Sequence, residues 1–347
     1  MPFPVSDTLI EFLKMKLTEE QAEFITIFRH SSLNLEQIKE KTDKSEKEII
    51  EILEDLMKNG VISGNPSRST GIMVYTLMPP FPGLIEFSLM KGNKGEKERK
   101  LANLFDRIFI DLRNGTQRNY DEVMPEFKKF PAPARIIPVE EKVVVGKEEV
   151  LLIEEASKII DQHDKIALAH CYCKQQKDLV GDPCKITDER EICLILGKAA
   201  NYSINYGFAR QISKDEAKKV LKKAEDLGLV HKVFHSNLDF NKGLDGICSC
   251  CKCCCGIFRL FYEGVVPYHT LTSYIAETIS ENCIACGTCV EKCPMEAIKL
   301  DDEKAVIDSK RCIGCGVCAH FCPEEAINIV RTGPREVFVL PPRIKIS

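Results

Sequence analysis

Along the first eighty residues the apolar positions recur with a helical period. Phe24, Ile27 and Phe28 share one face of a stretch opened by Glu19-Glu20-Gln21-Ala22. Leu35 to Glu40 fits a second short helix. Ser45 to Asn59 fits a third, with Ile49, Ile52, Leu53 and Leu56 at core spacing. Ser45 and Glu48 stand where an N-cap and its capping-box partner belong, and Asn59-Gly60 supplies the stop. Val61-Ile62 and Ile72 to Leu77 then read as two strands joined by the polar loop Ser63 to Gly71.

Met78-Pro79-Pro80-Phe81-Pro82-Gly83 breaks this pattern. A charged helix is predicted from about Lys97 to Leu112. Its apolar stripe of Leu101, Leu104, Phe105, Ile108 and Phe109 reads as ordinary core. After a second break at Phe130-Pro131-Ala132-Pro133, Ala134 to Val139 and Lys142 to Val145 read as strands. Glu148 to Gln162 reads as a helix, Lys165 to Ala169 as a short buried strand, and Ile192 to Tyr206 as a helix with Cys193 near its N-terminus. The dipole there would favour a thiolate. Ser213 to Leu227 is a further helix, capped by Ser213 with Glu216 and ended by Gly228. Leu229-Val230-His231 follows as a strand.

Composition adds chemistry to this outline. The 347 residues suffice for two to four domains. They include 18 cysteines and no tryptophan, with 7% aromatics. The opening MPFPVSDTLIEFLKMKL lacks a basic n-region and a small-residue cleavage site, and no apolar run reaches the roughly 18 residues of a membrane span. The cysteines therefore read as metal ligands in a reducing cytoplasm, with an oxygen-poor, anaerobic host as the expected setting. A net charge of −4 argues against general nucleic-acid binding.

One cysteine pattern occurs twice near the C-terminus. Cys283, Cys286, Cys289 and Cys293 precede Pro294; Cys312, Cys315, Cys318 and Cys322 precede Pro323, at an offset of 29 residues. Each run reads C-x2-C-x2-C-x3-C-P. The repeat extends to Ile284 and Ile313, Gly287 and Gly316, and Ala297-Ile298 and Ala326-Ile327. Zinc knuckles would have no use for the third cysteine or the trailing Cys-Pro. Residues 279–331 thus resemble a bacterial two-cluster ferredoxin. In that family the fourth cysteine of each run ligates the other cluster. The resemblance implies one 4Fe–4S cluster on Cys283, Cys286, Cys289 and Cys322, and a second on Cys312, Cys315, Cys318 and Cys293.

Ten more cysteines lie upstream: Cys171, Cys173, Cys184 and Cys193, then Cys248, Cys250, Cys251, Cys253, Cys254 and Cys255. Six thiols in eight residues cannot all be core, and adjacent side chains diverge in an extended chain, so one run can feed two sites. Some of the second group are expected to join the first, around one or two further iron–sulfur clusters or zinc. Subset and pairing stay open, and inert buried cysteines remain the plainer alternative. The Cys-Cys-Gly at 254–256 is similar to the cysteine-rich domains of heterodisulfide reductases, but the long spacings of that family are absent. His170 beside Cys171 reads as structural before it reads as a ligand, and His320, between Cys318 and Cys322, as a surface residue near a cluster. His231, His235 and His269 have no companions at ligand spacing. No P-loop, dinucleotide fingerprint or nucleophile elbow appears.

Three helices and a hairpin at residues 1–80 resemble a winged helix. Its third helix would be the DNA reader, yet from Lys44 to Asn59 three lysines face five acidic residues, and only Arg68 is basic on the presumed wing. A docking or dimerisation module, with a homodimer as one form, is the expected role, and DNA binding is not.

The expected architecture is α+β and multidomain. The winged-helix-like module comes first, then a connector at 81–145, a mixed α/β cysteine-rich domain at 146–277, the ferredoxin-like domain at 278–331 and a C-terminal arm at 332–347. The expected function is low-potential electron transfer, at roughly −400 mV or below, with a flavoprotein, hydrogenase-like enzyme or reductase. Residues 281–325 carry nine acidic and five basic side chains, so a basic face on that partner is expected. The alternatives are an oxidoreductase working at an open-site cluster or thiol pair among Cys171 to Cys255, and a cluster-based redox-sensing regulator.

Overall fold

The computed structural model describes residues 5–29, 32–67, 69–144, 155–234 and 244–345. The first helix, Asp7–Lys16, was not evident from periodicity; Ser6 caps it by accepting from the Leu9 N–H at 3.2 Å. Glu19–Phe24, Leu35–Lys39 and Glu46–Lys58 follow, each opened by a reciprocal capping box. The hairpin β1 (Ile62–Pro66) and β2 (Met73–Leu77) completes this module, and Leu33 bridges to Tyr75. Phe12, Phe28, Ile38, Ile49, Leu53 and Leu56 fill its core.

The expected break after Met78 is instead a helical continuation. Pro80–Leu84 winds as one π turn into the short helix Ile85–Phe87, because a proline at the first position gives up an N–H that the first turn leaves unbonded anyway. The next helix runs from Glu96 to Arg118, well beyond Leu112, and Tyr120–Phe127 adds another. Arg68, Val145 and residues 148–154 of the predicted helix lie outside the described residues, as does His235.

The rest is organised by one sheet. In chain order its strands are β3 (Arg135–Ile137), β4 (Val143–Val144), β5 (Ile166–His170), β6 (Glu191–Leu196), β7 (Arg210–Gln211), β8 (Val230–Phe234), β9 (Gly246–Cys250) and β10 (Tyr268–Thr278). A separate hairpin, β11 (Ile298–Asp301) and β12 (Lys304–Ile307), precedes the last strand, β13 (Ile327–Val339). The spatial order is β4-β13-β10-β3-β8-β9-β6-β5-β7. Pairing is parallel at β4/β13 and β3/β10 and antiparallel elsewhere.

Two expectations change here. Ile192 to Leu196 is strand β6, not the start of a helix; the helix is Gly197–Asn205. A strand covered on both faces is a continuous apolar run without period, and Gly197 at φ +57° marks the turn into the helix. Cys193 therefore sits mid-strand and not at the start of a helix of its own. Cys171 and Cys255 instead hold the N-cap positions of the helices Tyr172–Leu179 and Gly256–Tyr262, without a side-chain capping bond. The segment expected to be an arm contributes residues 332–339 to β13, in a ladder with β10 that runs from Thr278↔Ile327 to Tyr268↔Val339. Beyond it, Tyr120 Oη donates to the Pro341 carbonyl at 2.6 Å. The stretch with the two cysteine runs is thus an excursion from the end of a ladder that belongs to the large sheet.

Candidate metal centres

All eighteen cysteines are free thiols, and the fold gathers them into four groups. Two belong to the repeat. Gly287 and Gly316, at φ +79° and +81°, turn the chain into the short helices that carry Cys289 and Cys318. Gly314 is required by packing, since a Cβ there would sit 2.2 Å from the Tyr274 carbonyl oxygen of β10. Its counterpart Ala285 holds a similar φ of +54°.

Cys283, Cys286, Cys289 and Cys322 line one cavity. Cys293, Cys312, Cys315 and Cys318 line a second. The structure thus brings three cysteines of each run together with the fourth of the other. The Ala297 and Ala326 N–H groups donate to Cys293 and Cys322 Sγ at 3.2 Å, and Ala276 N–H to Cys312 at 3.5 Å. Burial pushes Cys315 up to about 12 and Cys318 well above the usual thiol value, so these groups stay protonated until a cation displaces the proton. The first cavity is the open one: Cys286 is exposed, while Cys312, Cys315 and Cys318 are buried.

The third group is compact. Cys184 Sγ lies 3.8 Å from Cys251 and 3.7 Å from Cys253; Cys253 lies 3.5 Å from Cys251 and 3.6 Å from Cys254. All four sulfurs fall within 4.8 Å of one another.

The fourth group takes the remaining six. Cys171 at the end of β5, Cys173 one residue into the following helix, Cys193 on β6, Cys248 and Cys250 on β9, and Cys255 at the next helix start form a closed ring. Cys171 meets Cys173 and Cys193, Cys248 meets Cys193 and Cys250, and Cys255 meets Cys173 and Cys250. Cys173 donates to Cys171 and Cys255 and holds both low, while Cys193 and Cys250 hold Cys248 at about 5. These bonds hold Cys193 and Cys250 up in turn; Cys173 is raised first by burial. Proton-poor and proton-rich sulfurs alternate because neighbouring buried thiols cannot all ionise without a cation. The Gly256 N–H also donates to Cys173 at 3.2 Å.

Two lysines that composition did not single out are buried in this part of the fold. Lys232 Nζ stands 4.0 Å above the Phe258 ring and 4.7 Å above Tyr268. Burial opposes its charge, but Tyr268, Cys255 and Cys250 hold its pKa above the usual lysine value. Lys174, 1% exposed, lends its N–H and its charge to Cys171. The Lys174 ammonium has no hydrogen-bond acceptor among the described residues, and that of Lys232 leans on Tyr268. Buried cations beside buried thiols suit a site that carries net negative charge. The histidines stand apart: His170 packs on Gly92, His231 Nδ1 is 3.2 Å from Ser249 Oγ, His269 pairs with Glu336, and His320 lies between Glu141 and Asp226.

The donor sets of the two cavities fit iron–sulfur cubanes, with four thiolates around each space and N–H groups aimed at the sulfurs. Residues 282–326 match the family model described as a 4Fe-4S dicluster domain. The C-terminal excursion is a ferredoxin-type iron–sulfur domain. No curated protein and no solved structure matches the chain. Among the described residues no helix is long and apolar enough to cross a membrane.

Proposed function

We propose that this chain is an electron-transfer protein. Its ferredoxin-type domain holds two 4Fe–4S clusters in crossed ligation, and the six-thiol ring is an additional buried metal–sulfur site. The observation that carries the reading is the lining of the two cavities, each by three cysteines of one run and the last cysteine of the other. When bound, such clusters supply one-electron transfer at low potential. The chain's own residues grade the exposure. Cys286 faces solvent beside exposed Ile284 and Leu300, Cys312, Cys315 and Cys318 at the second cavity are buried, and so are five of the six ring thiols. Cys250 and Cys255 share one apolar core with Cys312, Cys315 and Cys318, filled by Phe258, Phe261 and Tyr268. A redox partner with a basic face would dock at the acidic surface around Cys286.

Substrate reduction at the ring is the weaker reading, because that burial leaves little access. The N-terminal winged-helix-like module acts as a docking element. Its acidic third helix repels a polyanion, and Tyr202 Oη already takes the carbonyls of Met57 and Ile62 at 2.9 and 3.0 Å.

The test is cysteine pairing in protein purified without oxygen. Cys322→Ser should perturb the same electron paramagnetic resonance signal as Cys286→Ser, and Cys293→Ser the same signal as Cys315→Ser. Pairing of Cys322 with Cys315 instead would overturn the crossed assignment.

A further inference from the structure

We infer that Cys184, Cys251, Cys253 and Cys254 form a tetrathiolate site for a single zinc ion, separate from every iron–sulfur centre of the chain. The distances between the sulfurs carry the assignment, whatever the iron–sulfur centres do.

A tetrahedral ion with zinc–sulfur bonds of about 2.3 Å places its four sulfurs about 3.8 Å from one another. The four measured contacts run from 3.5 to 3.8 Å. A cubane cannot accept that spacing, since each cysteine binds its own iron and the sulfide cube lies between them. The same chain supplies the comparison. Among the described residues no three sulfurs of the ferredoxin quartets, and no three of the six-thiol ring, lie within 4.8 Å of one another. Only the Cys184 quartet is drawn in to the size of one ion.

The backbone supports the assignment. The Ile186 N–H is directed at Cys184 Sγ and the Lys185 N–H at Cys253 Sγ, placing two donors against sulfurs that would carry the excess charge of a four-thiolate shell. Four thiolates close the coordination sphere, the form of a structural rather than a catalytic zinc. What it would hold is also visible. Residues 181–190 form neither helix nor strand, and Cys184 is their one thiol, facing the turn at 251–254. An ion there ties an irregular loop to the end of β9 across 67 residues of sequence.

The experiment is metal analysis of the full-length protein, purified without oxygen, as wild type and as Cys184→Ser and Cys253→Ser. The wild type should carry about one zinc per chain. Each variant should lose it, with iron and acid-labile sulfide unchanged. Zinc retained in the variants, or a fall in iron on substitution, would overturn the inference. If the variants fail to fold, zinc-edge X-ray absorption of the wild type decides: a shell of four sulfurs at about 2.3 Å supports the site, and nitrogen or oxygen ligands, or absence of zinc, refute it.

Discussion

The chain's first 170 residues contain no cysteine, and the following stretch from 171 to 322 contains all eighteen. The first region closes its core in the ordinary way, with Ile38, Ile49, Leu53 and Leu56 packed from two helices. In the second, thiols occupy core positions. Cys171, Cys173, Cys193, Cys251 and Cys254 are buried beside the same Phe105 and Phe109 that face the N-terminal half. A buried thiol packs as a small hydrophobe, but a cluster of them at contact distance is finished only by a cation. One region therefore folds on apolar area, while folding of the other would couple to metal at the proposed sites.

Stripping the metals should show this contrast at its largest. After chelation, hydrogen exchange should lose its protection across β5, β6 and β9, while the helices Glu46–Lys58 and Glu96–Arg118 keep theirs. Equal loss in both regions would erase the distinction. Leu53→Ala is the converse experiment. It should cost about 2–5 kcal/mol of stability, as core truncations do, and leave iron and zinc per chain unchanged. A parallel loss of metal would mean that the two regions fold as one unit.

Lys16 sharpens the picture of the apolar region by smaller steps. Burial, reinforced by Lys97 and Lys91, lowers its pKa to about 8. Between pH 8 and 10.5 the unfolded chain binds a proton that the folded chain lacks, so stability should rise with pH across that window. Below pH 8 the cost of the buried ammonium is constant. Lys16→Met should remove the slope and stabilise the protein at neutral pH by up to about 3 kcal/mol; an unchanged pH profile would show that Lys16 reaches water. In the thiol region the matching charge test is Lys232→Met. Loss of a buried cation near Cys250 and Cys255 should shift the ring site's reduction potential negative, on the order of 50 mV at an effective dielectric near 20. An unmoved potential would place Lys232 outside its field.

Legibility in the sequence follows the same divide. The third helix was readable to its caps, because Ser45, Glu48 and Asn59 act on neighbours within a turn. The ferredoxin runs were readable because three of four ligands are set by local spacing. The upstream sites were not. Cys184 meets Cys251 from 67 residues away, and no spacing rule joins them. The helix Tyr172–Leu179 was missed because Lys174, Gln175 and Gln176 add no apolar period, yet all three are buried. Gln176 is held by the Ala102 carbonyl at 3.1 Å and by Asp106 at 2.9 Å on the long helix. Those partners lie far away in sequence, so tertiary packing overrode the local pattern.

The most direct check of the electron-transfer reading is iron and acid-labile sulfide per chain, on full-length protein isolated without oxygen. The account expects more than the roughly eight irons of two cubanes, with sulfide to match, because the six-thiol ring adds its own. Eight irons or fewer, or iron without sulfide, would contradict it.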